Sequence, residues 1–316
     1  MGFIGVSPAP YLDDTPERRM VRSVAEFYPA LEPEDFYLLS GVEQGMRFSE
    51  WVSREKLPSF SGLTSEEVDY RLERALKRGL VEKKTIQYEG YTLQFEGYDA
   101  LALRALVERD TVAEFGAPLG VGKESDVYEV RSYKPLALKF HREGYTNFRE
   151  VRRERNYTAD REHVSWLYTA RKAAEREMEV LEALYPDVSV PQPIDQNRHA
   201  IVMEKMPGVE LARADLGGGA AVVLEAILAE VAHAYDLGYV HADMSQYNVF
   251  VDEGGVTVFD WPQAVPVDHE NADEFLERDV ENVLTYFERK YPGILEGTSL
   301  EAVVTDVRDG DIPRLS

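Results

Sequence analysis

Cysteine is absent from the 316 residues of this chain, which excludes disulfide bonds, cysteine nucleophiles and thiolate metal sites. No apolar run reaches the roughly 20 residues that a membrane span needs, because acids interrupt the longest run at Glu225 and Glu230. The first residues have neither the basic start nor the apolar centre of a secretory signal. These absences predict a cytoplasmic protein that makes no membrane contact.

Basic residues are outnumbered, since the chain has 35 Lys and Arg against 58 Asp and Glu, for a net charge of −23. The imbalance is concentrated in residues 180–316, which hold 26 acids and 8 bases. We interpret it as a solubilising surface of the halophile type, archaeal-like in composition and suited to a salt-rich cytosol. The alternative is an acidic face that repels nucleic acid and leaves the less acidic front of the chain free to bind it.

Hydrophobic residues make up 44% of the chain, enough to bury a core and to exclude general disorder. At roughly 150 residues per domain, the length predicts two domains. In the first third, the clearest helix begins at Thr64, where Thr64 and Glu67 have the spacing of a capping box. The segment FSEWVSREKL, with Ser49 as its N-cap, is predicted to be a further short helix.

Two β-prone runs follow that helix and meet at Glu89-Gly90, which is a hairpin signal. Helices followed by a hairpin resemble a winged helix, predicted over residues 1–91, and 92–110 is predicted to be a linker helix. A winged helix can place one helix in a nucleic-acid groove. Segment 64–84 carries the bases for such a contact, although a solvated face or a protein-docking face is equally consistent with them. These bases are Arg71, Arg74, Lys77, Arg78, Lys83 and Lys84.

The segment GVGKESDVY begins the part of the chain that carries chemistry. Gly120, Gly122 and Lys123 suggest a loop whose bare backbone N–H groups approach phosphate. The spacing does not match a Walker A loop, because five residues separate Gly116 from Gly122 and Glu124 follows the lysine. A dinucleotide-binding fold is also excluded, since a strand rather than a long helix follows the glycines.

A lysine in a strand follows the glycine loop, which is the order found in protein kinases. Lys139 in LALKF would reach the phosphates, and in kinases a helix glutamate pairs with this lysine. The helix predicted over 169–186 offers Glu175, Glu177 and Glu179, and we choose Glu177 because it adjoins the apolar stripe. The alternative is that all three glutamates are solvated.

The segment HADMSQYNVFV places Asp243 and Asn248 five residues apart in front of a strand, and a later strand ends at Asp260. Phosphoryl transfer needs a carboxylate at the attacking oxygen and Mg²⁺ at the phosphates. Because Mg²⁺ prefers hard oxygen ligands, the pattern predicts Asp243 at the transferred phosphate and Asn248 and Asp260 at the metal, which Mn²⁺ would also suit. His241 is predicted to be structural. A strand running into a loop predicts an adenine hinge at Glu204 and Met206.

Four segments, GVGKESDVY, LALKFHR, HADMSQYNVFV and FDWPQAV, occur in an order that resembles the RIO atypical kinases, and within them the Rio-two branch, which has an N-terminal winged helix. The resemblance covers roughly residues 1–290. It implies an α+β fold in which a winged helix precedes a compact bilobal RIO kinase domain. That domain is expected over 111–290, with an N-lobe over 111–206 and a C-lobe over 207–290.

The same resemblance implies an ATP- and Mg²⁺-dependent serine/threonine kinase that phosphorylates itself and acts chiefly as an ATPase switch in maturation of the small ribosomal subunit. Its expected partner is the immature subunit, rRNA and proteins, contacted by segment 64–84 and by the arginine-rich segment 142–165. An exposed insert is an equally consistent interpretation of 142–165. The implied catalytic residues are Asp243, Lys139 and Glu177, and the implied metal ligands are Asn248 and Asp260. The implied nucleotide-binding residues are Gly120, Val121, Gly122, Lys123, Glu124, Ser125, Val127, Lys139, Glu204 and Met206.

The chain departs from ordinary protein kinases in three ways: Ala242 replaces the usual arginine, DWP replaces DFG, and no APE segment follows. Control by activation-segment phosphorylation is therefore not expected. Two other functions fit parts of the pattern. An aminoglycoside-type phosphotransferase would need a large C-terminal substrate lobe, and only 54 residues follow Pro262. A winged-helix regulator with a nucleotide-sensing domain would tolerate loss of Asp243 or Asp260. Residues 291–316 are predicted to be an acidic tail, with a surface turn at 252–255 and a disordered end at 298–311.

Overall fold

The structure is a computed structural model that describes residues 24–122, 124–142 and 166–310. It divides into two compact units, one ending at Ala100 and the other beginning at Leu101. The α-helices of the described residues are α1 (Val24–Phe27), α2 (Pro33–Gly45), α3 (Leu57–Ser61), α4 (Ser65–Arg78), α5 (Phe95–Glu108), α6 (Trp166–Leu184), α7 (Ala220–Asp236), α8 (Ala272–Lys290) and α9 (Leu300–Arg308).

Strands occur in both units, and every pair of neighbouring strands in the described residues is antiparallel. They are β1 (Val52–Ser53), β2 (Val81–Thr85), β3 (Glu89–Leu93), β4 (Glu114–Val121), β5 (Ser125–Arg131), β6 (Pro135–His141), β7 (Pro193–Asn197), β8 (Ala200–Glu204), β9 (Val209–Glu210), β10 (Tyr239–Val240), β11 (Val249–Asp252), β12 (Gly255–Val258) and β13 (Val265–Pro266).

The first unit packs helices α2, α3 and α4 together beside a small sheet in which β3 lies between β1 and β2. The predicted capping box of α4 is confirmed, because Glu67 N donates to Thr64 Oγ1 at 3.3 Å and Thr64 N donates to Glu67 Oε2 at 2.9 Å. The helix ends at Gly79, whose φ of 73° is the left-handed conformation that favours glycine. Helices followed by the β2–β3 hairpin confirm the winged-helix order.

The short helix predicted over FSEWVSREKL is wrong for residues 48–53 and for the cap at Ser49, since helical structure begins only with a 3-10 helix at Arg54–Lys56. Ser49 Oγ donates to Trp51 O at 3.0 Å instead of capping a helix, and Val52 pairs with Tyr91 as part of β1. Val52 is buried against the rest of the unit. Burial of this apolar residue on the free edge of the hairpin outweighs the local helix signals, which are worth only fractions of a kcal/mol per residue.

The second unit begins with a five-stranded sheet in the order β4-β5-β6-β8-β7. Its central strand, β6, is buried from Leu136 to His141, which suits the continuous apolar run that surrounds Lys139. Helix α6 lies against β6, β7 and β8, and buries a stripe that includes Ala170, Ala174 and Glu177. The sheet therefore presents the lysine of its central strand to the buried stripe of one helix.

Helix α7 forms the centre of the remaining part of the second unit. It contacts α8, α9, β10 and β12, and its buried residues include Leu224, Ile227, Leu228 and Val231. Contrary to the expectation from the sequence, the segment Gly217–Asp236 is long and apolar enough to cross a membrane by length and composition. Because one face of the segment, including Leu224, Ile227 and Leu228, is buried against four neighbouring elements, it is accounted for as a core helix of this unit, although Val222 on another face is exposed.

The disordered end predicted over 298–311 is wrong for residues 300–308, which form α9. Ser299 caps this helix by accepting a hydrogen bond from Ala302 N at 3.2 Å. Val303, Val304 and Val307 are buried in the same apolar cluster as α7 and α8. Glu301 and Asp306 make this helix look like part of an acidic tail, although its three valines lie on one face. The surface turn predicted at 252–255 is confirmed as the tight turn between β11 and β12.

Replacing Val307 with Ala should lower the free energy of unfolding by about 2 kcal/mol, because the change leaves a small cavity under α9. The matched control is Thr305→Ala, which shortens an exposed β-branched residue of the same helix. Urea unfolding followed by tryptophan fluorescence at fixed salt measures both. Equal midpoints for the two variants and the parent chain would mean that α9 contributes nothing to the core.

Candidate active site

Lys139 lies at the centre of a cluster of charged groups. Its Nζ is 2.7 and 2.6 Å from Glu177 Oε1 and Oε2, and 2.5 Å from Asp260 Oδ1. Only 5% of Lys139 and 1% of Glu177 are exposed. The structure thus brings together the strand lysine, the helix glutamate chosen over its neighbours and Asp260, which lies two residues beyond the end of β12 and not within a strand as predicted.

The charged groups in this cluster keep one another ionised. Burial by itself would lower the pKa of Lys139, but the charges of Glu177 and Asp260 raise it. Burial would likewise raise the pKa of Glu177, but the opposing effects, of which the charge of Lys139 is the largest, together outweigh burial, and the pKa is lowered to about 2. Both partners are therefore charged near neutral pH, as a buried ion pair must be to offset the loss of hydration.

His141 is a member of the cluster that the sequence analysis did not identify. It is fully buried, and its Nε2 lies 2.8 Å from Glu177 Oε2, although the two groups are not aligned as a hydrogen bond. Burial and the nearby charge of Lys139 lower its pKa, so the ring is neutral. Trp261 N donates to Glu177 Oε1 at 3.3 Å. The K-x-H spacing was the available signal, because alternate residues of a strand share a face.

The loop that carries Asp243 is held by its main chain. Ala242 has a φ of 64°, in the left-handed region that residues other than glycine seldom adopt. Asp279 of α8 accepts hydrogen bonds from Ala242 N at 2.7 Å and from Met244 N at 2.9 Å. Arg278 donates to Ala242 O, and Asn282 Nδ2 donates to Met244 O at 3.1 Å. Three residues of one helix therefore fix the backbone on both sides of Asp243.

Sequence reasoning missed Arg278, Asp279 and Asn282, because their partners are backbone atoms that leave no pattern in the sequence. Asp279 is 1% exposed. Burial raises its pKa, and the two N–H donors oppose that effect. The only available signal was an aspartate at an apolar position of an amphipathic helix, since buried acids are rare unless they are paired.

Asp243 itself reaches the surface, while its neighbours in the loop are buried. Partial desolvation raises the pKa of its carboxyl, and the negative charge of Asp260 contributes to the shift. His241 has the structural place predicted for it: its Nε2 donates to Phe259 O at 3.1 Å, and its Nδ1 accepts from Asp243 N at 3.3 Å. The side chain of Asp243 is thus exposed to solvent, on a loop whose backbone is held by hydrogen bonds.

Asn248 and Asp260 supply the oxygen atoms predicted to bind a metal. Phe259 N donates to Asn248 O at 3.0 Å, which holds the asparagine beside the strand end that carries Asp260. Asn248 Nδ2 donates to Asp243 O at 2.8 Å, so its Oδ1 remains as an acceptor. No group of three or more His, Asp or Glu in the described residues forms a metal site by itself. An amide oxygen and a carboxylate fit Mg²⁺, which commonly takes its other ligands from phosphate and water.

The predicted nucleotide loop lies between β4 and β5. Gly120, Val121, Gly122 and Glu124 are exposed, and Gly122 N donates to Ser125 O at 2.8 Å in a tight turn. Lys123 falls outside the described residues.

The remaining predicted contacts lie along the sheet. Val127 is half-buried and stands opposite Lys139 on the neighbouring strand. At the predicted hinge, Glu204 N donates to Gln192 O at 2.9 Å, and Met206 N has no acceptor within the part of the chain that the structure describes. An adenine ring bound at the hinge would accept a hydrogen bond from such a free backbone N–H group.

Several bases predicted for nucleic-acid contact are engaged within the winged helix. Asp35 is 4% exposed and accepts from Arg71 Nη1 at 3.2 Å and Arg74 Nη2 at 2.9 Å. Arg71 also bonds Glu32. The exposed pairs on the same segment are Lys77–Glu73 and Lys83–Glu89, each 2.6 Å apart. Arg71 and Arg74 are thus engaged by acids, whereas Lys84 is exposed and Arg78 donates to the backbone oxygen of Arg74, so the contact predicted for segment 64–84 stays a prediction.

Comparison with known proteins agrees with this architecture. A family model described as the RIO domain matches residues 126–299, and one described as Rio2, N-terminal, matches residues 28–109. The RIO-type serine/threonine-protein kinase Rio2 of Methanocaldococcus jannaschii is 43% identical over 252 residues, covering 77% of this chain and 92% of that protein. Serine/threonine-protein kinase RIO2 of Caenorhabditis elegans is 35% identical, over 83% of this chain and 50% of that protein.

Among solved structures, a complex of the Rio2 kinase of Chaetomium thermophilum with ADP/Mg²⁺ and phosphoaspartate matches with a TM-score of 0.76 and 30% identity. The match covers 92% of this chain and 91% of that one. Fold and site together define a kinase-type phosphotransferase with an N-terminal winged helix. The chain belongs to the RIO family of atypical serine/threonine kinases, in the branch that the Rio2 N-terminal domain marks.

Replacing Asp279 with Asn should disturb the loop that carries Asp243 without leaving a cavity in the core, because the two side chains have nearly the same size. An amide can accept only one of the two backbone N–H groups and turns a donor toward the other. We expect a loss of about 1–3 kcal/mol in unfolding free energy and a fall in kcat that exceeds any rise in KM for ATP. The control is Glu281→Gln, which also removes one charge from α8 but at an exposed position. Steady-state phosphate release and urea unfolding give both readouts, and an unchanged kcat would contradict the role of Asp279.

Proposed function

We propose that this protein is an ATP- and Mg²⁺-dependent atypical serine/threonine kinase and ATPase that phosphorylates itself and acts on the immature small ribosomal subunit. The observation that carries the proposal is the contact of Lys139 Nζ with both Glu177 and Asp260. One ammonium thus links the sheet, the helix and the strand end at which a metal-bound nucleotide would sit. A small-molecule phosphotransferase would not account for the winged helix.

In this proposal each residue has a separate task. Lys139 binds the phosphates of ATP, and Glu177 keeps its side chain oriented and charged. Asn248 and Asp260 would hold Mg²⁺, which neutralises the phosphate charge when it is bound. The exposed loop from Gly120 to Ser125 would bring backbone N–H groups to the phosphates, and Glu204 and Met206 would meet the adenine.

Asp243 is the residue we assign to the reacting phosphoryl group. The Chaetomium thermophilum relative was solved with ADP, Mg²⁺ and a phosphoaspartate. We infer that the carboxylate of Asp243 attacks the γ-phosphorus of ATP, while the bond to the bridging oxygen breaks and ADP leaves with its electron pair. Water then attacks the phosphorus, which restores the carboxylate and releases inorganic phosphate. A serine hydroxyl in place of water would give self-phosphorylation.

The decisive experiment follows the γ-phosphate of radiolabelled ATP in high-salt buffer with Mg²⁺. Asp243→Ala should lower phosphate release at least about 100-fold while ATP still binds. Asp260→Ala should weaken Mg²⁺-dependent nucleotide binding in a calorimetric titration. The control is Asp268→Ala, an exposed aspartate outside the site. Label on the parent protein that hydroxylamine removes identifies an acyl phosphate, whereas label that resists it lies on serine. Turnover by Asp243→Ala at the parent rate would exclude the assignment.

The proposed partner is the small ribosomal subunit, reached through basic residues in a cytoplasmic setting. Within segment 142–165, the structure describes only Arg142, which is buried. The other arginines lie outside the described residues, and they remain the candidates for contact with rRNA. The ion pairs on segment 64–84 make that segment the weaker candidate.

Replacing Arg152, Arg153 and Arg155 with Gln should reduce association with small ribosomal subunits more at low salt than at high salt. Each lost phosphate contact should lower the slope of log affinity against log salt by about 0.7–0.9. The comparison variant replaces Lys77 and Lys83 with Gln, and we expect it to change affinity less than two-fold. Co-sedimentation across a potassium chloride series measures both. A larger effect for the Lys77 and Lys83 variant would move the contact to the winged helix.

A further inference from the structure

A second buried ion pair lies outside the cluster around Lys139. Arg142 Nε donates to Asp126 Oδ2 at 2.7 Å, and the two residues are 6% and 3% exposed. Asp126 is the second residue of β5, directly after the nucleotide loop, and Arg142 follows the last residue of β6. The pair therefore joins two neighbouring strands at the end of the sheet where the loop begins.

The main chain of Arg142 makes a second contact with the same loop. Arg142 N donates to Glu124 O at 2.7 Å, and the loop closes on itself through Gly122 N and Ser125 O at 2.8 Å. One residue thus holds the loop twice, by its backbone at Glu124 and by its guanidinium at Asp126. The residues on both sides of the loop are paired in the sheet, Gly120 with Val127 and Ser125 with His141, so Arg142 acts on the turn between them.

The surroundings of the guanidinium leave it little freedom. Its Cζ lies 5.4 Å from the centre of the Phe140 ring, and its Nη1 lies 3.4 Å from His199 Nε2. A buried charged pair is weak evidence for stability, because an apolar pair of similar size often stabilises a fold as well or better. A charged pair has a preferred direction, so it can fix the orientation of the segments it joins. Here one of those segments is the loop that would bind phosphate.

We propose that Asp126 and Arg142 are positioning residues for the nucleotide phosphates, an inference that rests on the ATP-dependent function proposed above. They fix Glu124 and Ser125 relative to β6, which also carries Lys139. The loop N–H groups and the lysine Nζ are thereby set to approach the same phosphates together. Because backbone N–H groups bind phosphate only within a narrow range of distance and angle, a loop that drifts from β6 loses affinity for the phosphates and keeps contact with the adenine.

The experiment compares Asp126→Asn, Arg142→Gln and the double variant with the parent chain. For each, calorimetry gives the Kd for ATP and for adenosine, thermal unfolding gives the stability, and phosphate release gives KM and kcat. The control pair is Glu114→Gln with Arg131→Gln, which removes an exposed ion pair joining β4 and β5 at the opposite end of the same strands.

We expect each single variant to weaken ATP binding about ten-fold or more, since misplacement of about 1 Å can cost as much as 100-fold. Adenosine affinity should change less than two-fold, and KM should rise more than kcat falls. The double variant removes both charges, so its stability should return toward that of the parent while its ATP affinity stays low. The control pair should alter neither property.

Two results would overturn the inference. In the first, ATP affinity recovers together with stability in the double variant, which would make the pair a structural element only. In the second, ATP and adenosine weaken equally, which would place the effect away from the phosphates. Failure of the parent chain to bind ATP would instead contradict the proposed function, so the two outcomes are distinguishable.

Discussion

The ion pair between Lys139 and Glu177 is the interaction on which the rest of the site depends. Both groups are almost completely buried, so neither is tolerated without the other. Their contact joins the central strand of the five-stranded sheet to α6, and through Asp260 it reaches the end of the β12 segment. Removing one partner would leave a buried charge, at a cost of about 3–5 kcal/mol.

The groups proposed to react are held in position by neighbouring residues that do not react themselves. Lys139 is oriented by a charge, and the loop of Asp243 is oriented by backbone hydrogen bonds to Asp279, Arg278 and Asn282. The nucleotide loop is tied down by Arg142. The supports come from different elements, so the geometry of the site is a property of the whole second unit.

Short-range patterns in the sequence predicted what depends on neighbouring residues. The capping box at Thr64 and the strand position of Lys139 follow from local spacing, and both are present. Contacts between distant segments were hidden: β1 pairs across to β3, and α9 buries valines set among acids. Asp279 could not be assigned a task, because its partners are backbone atoms. In the winged helix the sequence showed the basic residues but not that a buried aspartate pairs with Arg71 and Arg74.

The second half of helix α4 is rich in basic residues. Two of its arginines are nevertheless paired with Asp35 and Glu32. The same principle applies at the nucleotide site, where two carboxylates, those of Glu177 and Asp260, contact the ammonium of Lys139. This cluster of three side chains carries one positive and two negative charges, so by itself it does not attract a bare nucleotide polyanion. A divalent cation that accompanies the nucleotide would supply the missing positive charge, and it would then serve entry of the nucleotide as well as chemistry.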